Sequence, residues 1–253
     1  AVSKAIRILQ IARSARRELG LSDDIPIHAI FRVLDRKGLR VIRYPFGFRK
    51  ISSLLARYRD EYFIVVDSTR TLGHQVFSVA HEYGHYVEHR DRLTFVCEPT
   101  YPDAGALDME RWANRFAAEF LVPRAAVERW LMEQDLEAAS LTLPDAVRLQ
   151  QAMGVSYEAM LNRLVELELI SSEQRVAWGQ ESPVRVARKL GVPVDLYQPD
   201  EVIQVPEEYQ ALWVQAYENG RVSFRRLQAA LARIGVDAKH LDLSHPAGID
   251  DVT

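Results

Sequence analysis

The chain has 253 residues, which is enough for one large domain or two small ones with a sizeable core. Its formal net charge of -3 and its 26% of charged residues give no overall indication of nucleic-acid or membrane binding. Its one cysteine, Cys97, excludes an intrachain disulfide and a four-cysteine zinc site within the chain.

The first 20 residues are interrupted by basic side chains and lack the apolar block of a signal peptide. No run of about 18 apolar residues occurs, so no membrane span is expected. The shortage of cysteine also favours the cytosol. We therefore expect a cytoplasmic protein that does not contact membranes.

The first part of the chain is predicted to combine helices with strands. Residues 1–19 have the spacing of an amphipathic helix, and residues 25–37 suit a second helix that begins near Pro26. Alternating or β-branched residues predict strands at residues 39–44, 52–58 and 62–66. The last of these strands lies either at a sheet edge, where a peptide substrate could add to it, or in the buried centre.

Most of the remaining chain is predicted to be helical. The apolar spacing predicts helices at residues 73–89, 108–120, 124–134, 144–153, 157–167, 206–218 and 223–234. Residues 171–190 look helical in parts. Residues 191–205 are rich in proline and acidic residues, and we interpret them as a linker or irregular arm.

The predicted helix 73–89 carries the sequence His81-Glu82-Tyr83-Gly84-His85. Histidines four positions apart project from one helix face and can bind one zinc-like ion. Glu82 is next to the first histidine and can take the proton of a metal-activated water that attacks a peptide carbonyl. Paired histidines also occur on solvated helices, so the site needs support from other residues.

A catalytic zinc site usually has a third protein ligand. His89 lies about 12 Å along the helix axis from His81, whereas nitrogens on one ion are about 3–3.5 Å apart. We therefore place His89 behind the ligands or at the rim. Asp91 occupies the third-ligand position of the pattern H-E-x-x-H-x-x-G-x-x-H, but the helix-breaking glycine of that pattern is Glu88 here.

Glu110 is the third candidate, and it shares one face of the predicted helix 108–120 with Asn114. Small and apolar residues surround this pair, and burying polar groups is costly unless they have partners. A metal ion would be a partner for Glu110, and Asn114 could accept the other ring N–H of a ligating histidine. Glu119 lies on a different face, and we expect it to meet solvent or Arg115.

These motifs resemble the ImmA/IrrE family of bacterial metallopeptidases. The resemblance rests on His81 and His85, on Glu110-x-x-Ala113-Asn114-x-Phe116-Ala117-Ala118, and on Leu121-Val122-Pro123. Residues 155–164 also resemble the helical region that follows the peptidase core in this family. The resemblance implies a gluzincin-like site with His81, His85 and Glu110 as ligands and Glu82 as general base. It further implies a cytosolic enzyme that cleaves a helix-turn-helix transcriptional repressor in a stress response or in mobile-element induction.

We accordingly expect an α+β protein in three parts. A zincin-like metallopeptidase core, with a small mixed sheet and active-site helices, is expected at residues 1–140. A helix-turn-helix-like helical region follows at residues 141–190, and a helical extension at residues 191–253. The expected cofactor is Zn²⁺, with Mn²⁺ as the alternative.

Other interpretations stay open. Tyr62 and Tyr83 are candidate rim or oxyanion residues, with aromatic core packing as the alternative. Residues 141–170 carry two basic and four acidic side chains, and DNA binding needs phosphate neutralisation, so we do not expect direct DNA binding. The competing functions are a regulatory DNA- or protein-binding module with a metal site but little hydrolytic activity, and a thermolysin-like degradative enzyme.

Overall fold

The computed structural model describes residues 2–47, 51–90, 104–206 and 208–244. The chain forms two compact units, Ala1–Val202 and Ile203–Thr253. Among the described residues, no helix is both long enough and apolar enough to span a bilayer. The larger unit combines one small sheet with many helices, which confirms the predicted α+β class.

The larger unit contains three strands and nine helices in its described part. The strands are β1 (Arg40–Tyr44), β2 (Ser53–Tyr58) and β3 (Glu61–Asp67). The helices are α1 (Val2–Glu18), α2 (Ile30–Asp35), α3 (Leu72–His89), α4 (Ala104–Leu121), α5 (Arg124–Glu133), α6 (Leu143–Met153), α7 (Tyr157–Glu166), α8 (Ser172–Gly179) and α9 (Pro183–Leu190). Short 3-10 turns occur at Ala138–Ser140 and Asp195–Tyr197.

The helix α2 begins later than the sequence predicts. Residues 25–29 are not helical, and Ala29 before the helix has a φ of 59°. This left-handed backbone cannot continue a right-handed helix. Ile27 is nevertheless buried, so an irregular segment covers the core where a helix was expected.

The sheet has the order β1-β3-β2, with β1 parallel to β3 and β2 antiparallel to it. The strand at residues 62–66 is therefore central, and the edge position considered for it is wrong. Its side chains Ile64 and Val66 are fully buried, as expected for a central strand covered by helices. In the described part of the chain, β2 pairs with β3 alone and forms an edge of the sheet.

The helices α3 and α4 approach closely because α3 has a glycine at the crossing. A β-carbon on Gly84 would lie 2.8 Å from the ring of Phe116, which is too close for any side chain. Phe116 belongs to a stack along α4, with Trp112 at 5.4 Å and Phe120 at 5.5 Å between ring centroids. This packing fixes α4 beside the face of α3 that carries the predicted motif.

Residues 191–205 have the irregular backbone that the sequence predicts, but the first part is not a free linker. The backbone N–H of Leu72 donates to Gln198 at 2.8 Å, and Thr71 forms a β-bridge with Pro199. Asp200 pairs with the buried Arg43 of β1. The segment therefore holds the first turn of α3 in place.

The helices α6 and α7 form the predicted pair around Gly154, whose φ of 69° ends α6. A capping box of Thr142 and Asp145 begins α6. One hydrophobic core runs from Ile8 to Ile170 and includes these helices. The three-part division of the sequence stays a prediction.

The smaller unit has the helices α10 (Glu208–Glu218) and α11 (Phe224–Ala232) and a 3-10 turn at Ala238–His240. Ser223 caps α11 by accepting a hydrogen bond from the backbone N–H of Arg226. Its small core contains the buried residues Tyr217, Leu227, Leu231 and Ala238.

Candidate metal centre and active site

The helix α3 presents His81 and His85 toward the same point. They are one turn apart, and their Nε2 atoms lie 3.1 Å from each other. His85 is buried, whereas His81 is partly exposed. The pair therefore forms the floor of a site that is open on the side of His81.

The helix α4 adds a carboxylate to this pair. Glu110 Oε2 lies 3.1 Å from His81 Nε2, and Oε1 lies 3.2 Å from His85 Nε2. Ligands at metal–nitrogen distances of about 2.0–2.1 Å are separated by about 3–3.5 Å, which matches this spacing. In the described ranges, this is the one group of three acidic, histidine or cysteine side chains that could bind a metal together.

The outer nitrogens of both histidines also have partners. His81 Nδ1 lies 2.9 Å from Asn114 Oδ1, and His85 Nδ1 lies 3.1 Å from Nδ1 of the buried His89. With the Asn114 oxygen as acceptor, the proton of His81 is on Nδ1 and the Nε2 lone pair is available to a metal. This arrangement orients ligating histidines in metal sites and suits the chemistry of the set.

The electrostatics of the cluster favour a cation. Hydrogen bonds from His81 and His85 hold the pKa of Glu110 well below its usual range. Burial lowers the pKa of His81, but the hydrogen bond to Glu110 and the charges of Glu82 and Glu110 outweigh it, so the net shift is upward. A proton is thus attracted to the place where a metal ion would bind, and the residues fit a divalent transition metal.

Glu82 lies beside the cluster and is mostly buried. Its Oε1 accepts a hydrogen bond of 2.8 Å from the hydroxyl of Ser53, the first residue of β2. In the part of the chain that the structure describes, Ser53 is the one side chain that donates to this carboxylate. No sequence pattern indicated Ser53, because the contact depends on how the edge strand lies against α3.

Tyr83 and Tyr62 occupy different environments. The ring of Tyr83 is buried against Phe116 and Phe120, and burial raises the pKa of its hydroxyl. We therefore do not propose it as an oxyanion donor. Tyr62 is partly buried on β3, with its ring 5.1 Å from that of Tyr86, and it stays a candidate for the rim.

His89 contacts the side of His85 that faces away from Glu110. Its ring is packed edge-on to Trp112, with 5.1 Å between the centroids.

The other candidates for the third ligand differ in their placement. Asp91 lies outside the described residues, as does Cys97. Glu119 is buried and contacts Arg115, the second of its two expected environments, and it also binds Arg163 at 2.9 Å.

Comparison with known proteins gives the family of the chain. No curated protein matches the chain. A model of a peptidase family, M78, described as the IrrE N-terminal-like domain, matches residues 34–165. This range includes β1 to β3, α3 and α4, and therefore all the residues of the cluster. Because the match covers more than half of the sequence, the chain belongs to the M78 metallopeptidase family, as its resemblance to the ImmA/IrrE peptidases predicted.

Proposed function

We propose that this protein is a cytoplasmic, metal-dependent endopeptidase that cleaves a helix-turn-helix transcriptional repressor and so derepresses stress-response or mobile-element genes. One observation carries the proposal. The ligand atoms of His81, His85 and Glu110 converge beside the buried carboxylate of Glu82 in a member of a metallopeptidase family. The repressor as substrate follows from the family resemblance.

In this proposal His81, His85 and Glu110 hold the metal. Zn²⁺, or Mn²⁺, would supply a Lewis acid that polarises a water and the scissile carbonyl. Glu82 accepts the proton of the attacking water and delivers it to the departing amine. Ser53 holds one carboxylate oxygen of Glu82, which leaves Oε2 to receive that proton.

The edge strand β2 offers a place for the substrate backbone. An extended peptide can add to an exposed strand edge through main-chain hydrogen bonds. Because Ser53 begins β2 and touches Glu82, a peptide on this edge would run past the proposed base. The edge-binding mode considered for the strand at residues 62–66 is thus proposed for β2.

The alternative is a binding module with a metal site but little hydrolytic activity. A metal site that only stabilises the fold needs no carboxylate beside its open face. The buried, hydrogen-bonded Glu82 therefore favours hydrolysis. The alternative would gain support from an electrophoretic shift of operator DNA that survives Glu82→Gln.

The test uses the helix-turn-helix repressor encoded nearest to this gene. We expect the full chain with Zn²⁺ or Mn²⁺ to cut it into two fragments, and a chelator to abolish the cut. Glu82→Gln should be inactive, whereas the control Glu61→Gln, at the exposed first residue of β3, should cut like the wild type. Equal cleavage by wild type and Glu82→Gln would show that the proposed mechanism is wrong.

A further inference from the structure

A cleft of about 550 Å³ adjoins the metal centre between α3, α4 and α7. Its walls include His74 and Phe77 from α3, Arg111 and Asn114 from α4, and Asn162 from α7. Asn114 belongs to both places, since its Oδ1 contacts the ligand candidate His81. The cleft is therefore continuous with the proposed active site.

The cleft lies within reach of a bound substrate. Phe77 precedes His81 by one helical turn, and His74 by two, which places the cleft about 6–10 Å from the ligands along α3. An extended chain advances about 3.3 Å per residue. A side chain two or three residues from the scissile bond is therefore within reach of this cleft.

Two arginines that line the cleft, Arg115 and Arg163, are neutralised by the carboxylates of Glu166, which also lines it, and Glu119. Arg163 binds Glu119 at 2.9 Å and Glu166 at 3.1 Å. Arg115 binds the same two carboxylates at 3.1 Å and 3.0 Å. Two cations facing two anions leave no net charge for a ligand.

Arg111 has no such compensation. It is exposed, lines the cleft, and forms no ion pair within the described ranges. Another acidic residue of the cleft, Glu158, pairs elsewhere: its carboxylate lies 3.6 Å from Arg175. The charge that remains for a ligand is thus the guanidinium of Arg111, next in sequence to the proposed metal ligand Glu110.

The amide groups add hydrogen-bond donors to this charge. The oxygen of Asn114 is used by His81, and the oxygen of Asn162 accepts from Arg175 Nε at 2.9 Å. Each amide therefore has its NH₂ group left to donate. A guanidinium with amide donors is complementary to a carboxylate.

We propose that this cleft binds an acidic side chain of the substrate, two or three residues from the scissile bond, and that Arg111 is a specificity-determining residue. The proposal rests on the proposed peptidase function, because that function places a peptide beside the cleft. The carboxylate could belong to an acidic side chain or to a chain terminus. We favour the side chain, because an endopeptidase substrate continues past the cleft.

The test uses fluorescent heptapeptides with amidated C-termini and a neutral frame, in which one Glu, Gln or Lys is moved along the chain. Cleavage by the metal-loaded full chain is followed by mass spectrometry. We expect the Glu peptide to exceed the Gln peptide about tenfold in kcat/KM at one position, two or three residues from the cut.

Variants assign this preference to Arg111. Arg111→Gln should abolish it, and Arg111→Glu should shift it toward the Lys peptide. The control Arg36→Gln removes another exposed arginine, at the end of α2, and should leave the preference intact. A preference that persists in Arg111→Gln, or no acidic preference in the wild type, would overturn the proposal.

Binding separates this proposal from the peptidase function. Fluorescence anisotropy with the metal-loaded Glu82→Gln variant should show about tenfold tighter binding of the best Glu peptide than of its Gln counterpart, and Arg111→Gln on that background should remove the difference. If the difference appears but the wild type cuts nothing, the cleft is supported and the peptidase function is wrong. If a neutral peptide with a free C-terminus binds as tightly as the best Glu peptide, the cleft binds a terminal carboxylate instead.

Discussion

Ser53 and Glu82 are joined by a hydrogen bond of 2.8 Å between Oγ and Oε1, although they are 29 positions apart in the chain. Ser53 begins the edge strand β2, and Glu82 lies inside α3. The bond therefore links the strand that we propose as the peptide-binding edge to the carboxylate that we propose as the base.

Ser53→Ala should lower kcat about tenfold. The hydroxyl donates to a charged carboxylate, and the loss of such a bond weakens the positioning of the base by about 1.5 kcal/mol. Steady-state kinetics with a cleavable peptide would measure the effect, and metal content should stay unchanged. Ser53→Thr retains a hydroxyl and should recover most of the activity. Wild-type kcat in Ser53→Ala would exclude this role.

His89→Phe should weaken metal binding about 10- to 100-fold, because partners of a ligating histidine fix its orientation. Phenylalanine fills the space beside Trp112 but offers His85 no hydrogen bond. Chelator competition would give the affinity of each variant. The exposed His240 provides the control, since His240→Phe lies in the smaller unit. An unchanged affinity in His89→Phe would show that His85 needs no such support.

Metal affinity should fall on acidification. The pKa of His81 is raised above its usual value of about 6.5, so its proton competes with the metal once the pH falls through that raised pKa. The pKa of Glu110 is lowered, so its carboxylate stays ionised over the same range. Affinity measured between about pH 5 and pH 8 should drop roughly tenfold per unit in the acidic part. A flat profile down to pH 5 would contradict this competition.

Arg163→Met should lower the free energy of unfolding by about 3–5 kcal/mol, because it leaves the buried carboxylate of Glu119 with one partner fewer. Chemical denaturation would measure the change. Arg175→Met removes an arginine whose partner Glu158 is exposed, and it should cost less than about 1 kcal/mol. Similar values for the two variants would show that the buried pair does not stabilise the packing of α7 on α4.

The parts of the fold that follow local rules were predictable. The spacing of apolar residues predicted α3 to within one residue and most of α4, which begins four residues earlier than predicted. Gly154 predicted the turn between α6 and α7. Helical spacing also placed His81 and His85 on one face. The choice of Glu110 over the other carboxylates needed the family resemblance as well as the helix face that it shares with Asn114.

Other features depend on tertiary contacts that a sequence pattern does not contain. The central position of β3 is set by how three strands pair, and alternation cannot distinguish it from an edge. The contact of Ser53 with Glu82 and the docking of Asp200 on Arg43 join residues from distant parts of the chain. The left-handed backbone of Ala29 makes α2 shorter than the pattern of its side chains predicts.

The most direct test of the central claim is the metal content of purified Glu110→Ala, measured beside the wild type and the surface control Glu61→Ala. If Glu110 of α4 completes the site of His81 and His85, the wild type and the control should hold about one metal ion per chain. Glu110→Ala should lose most of it after dialysis against a mild chelator. Wild-type occupancy in Glu110→Ala would contradict the account.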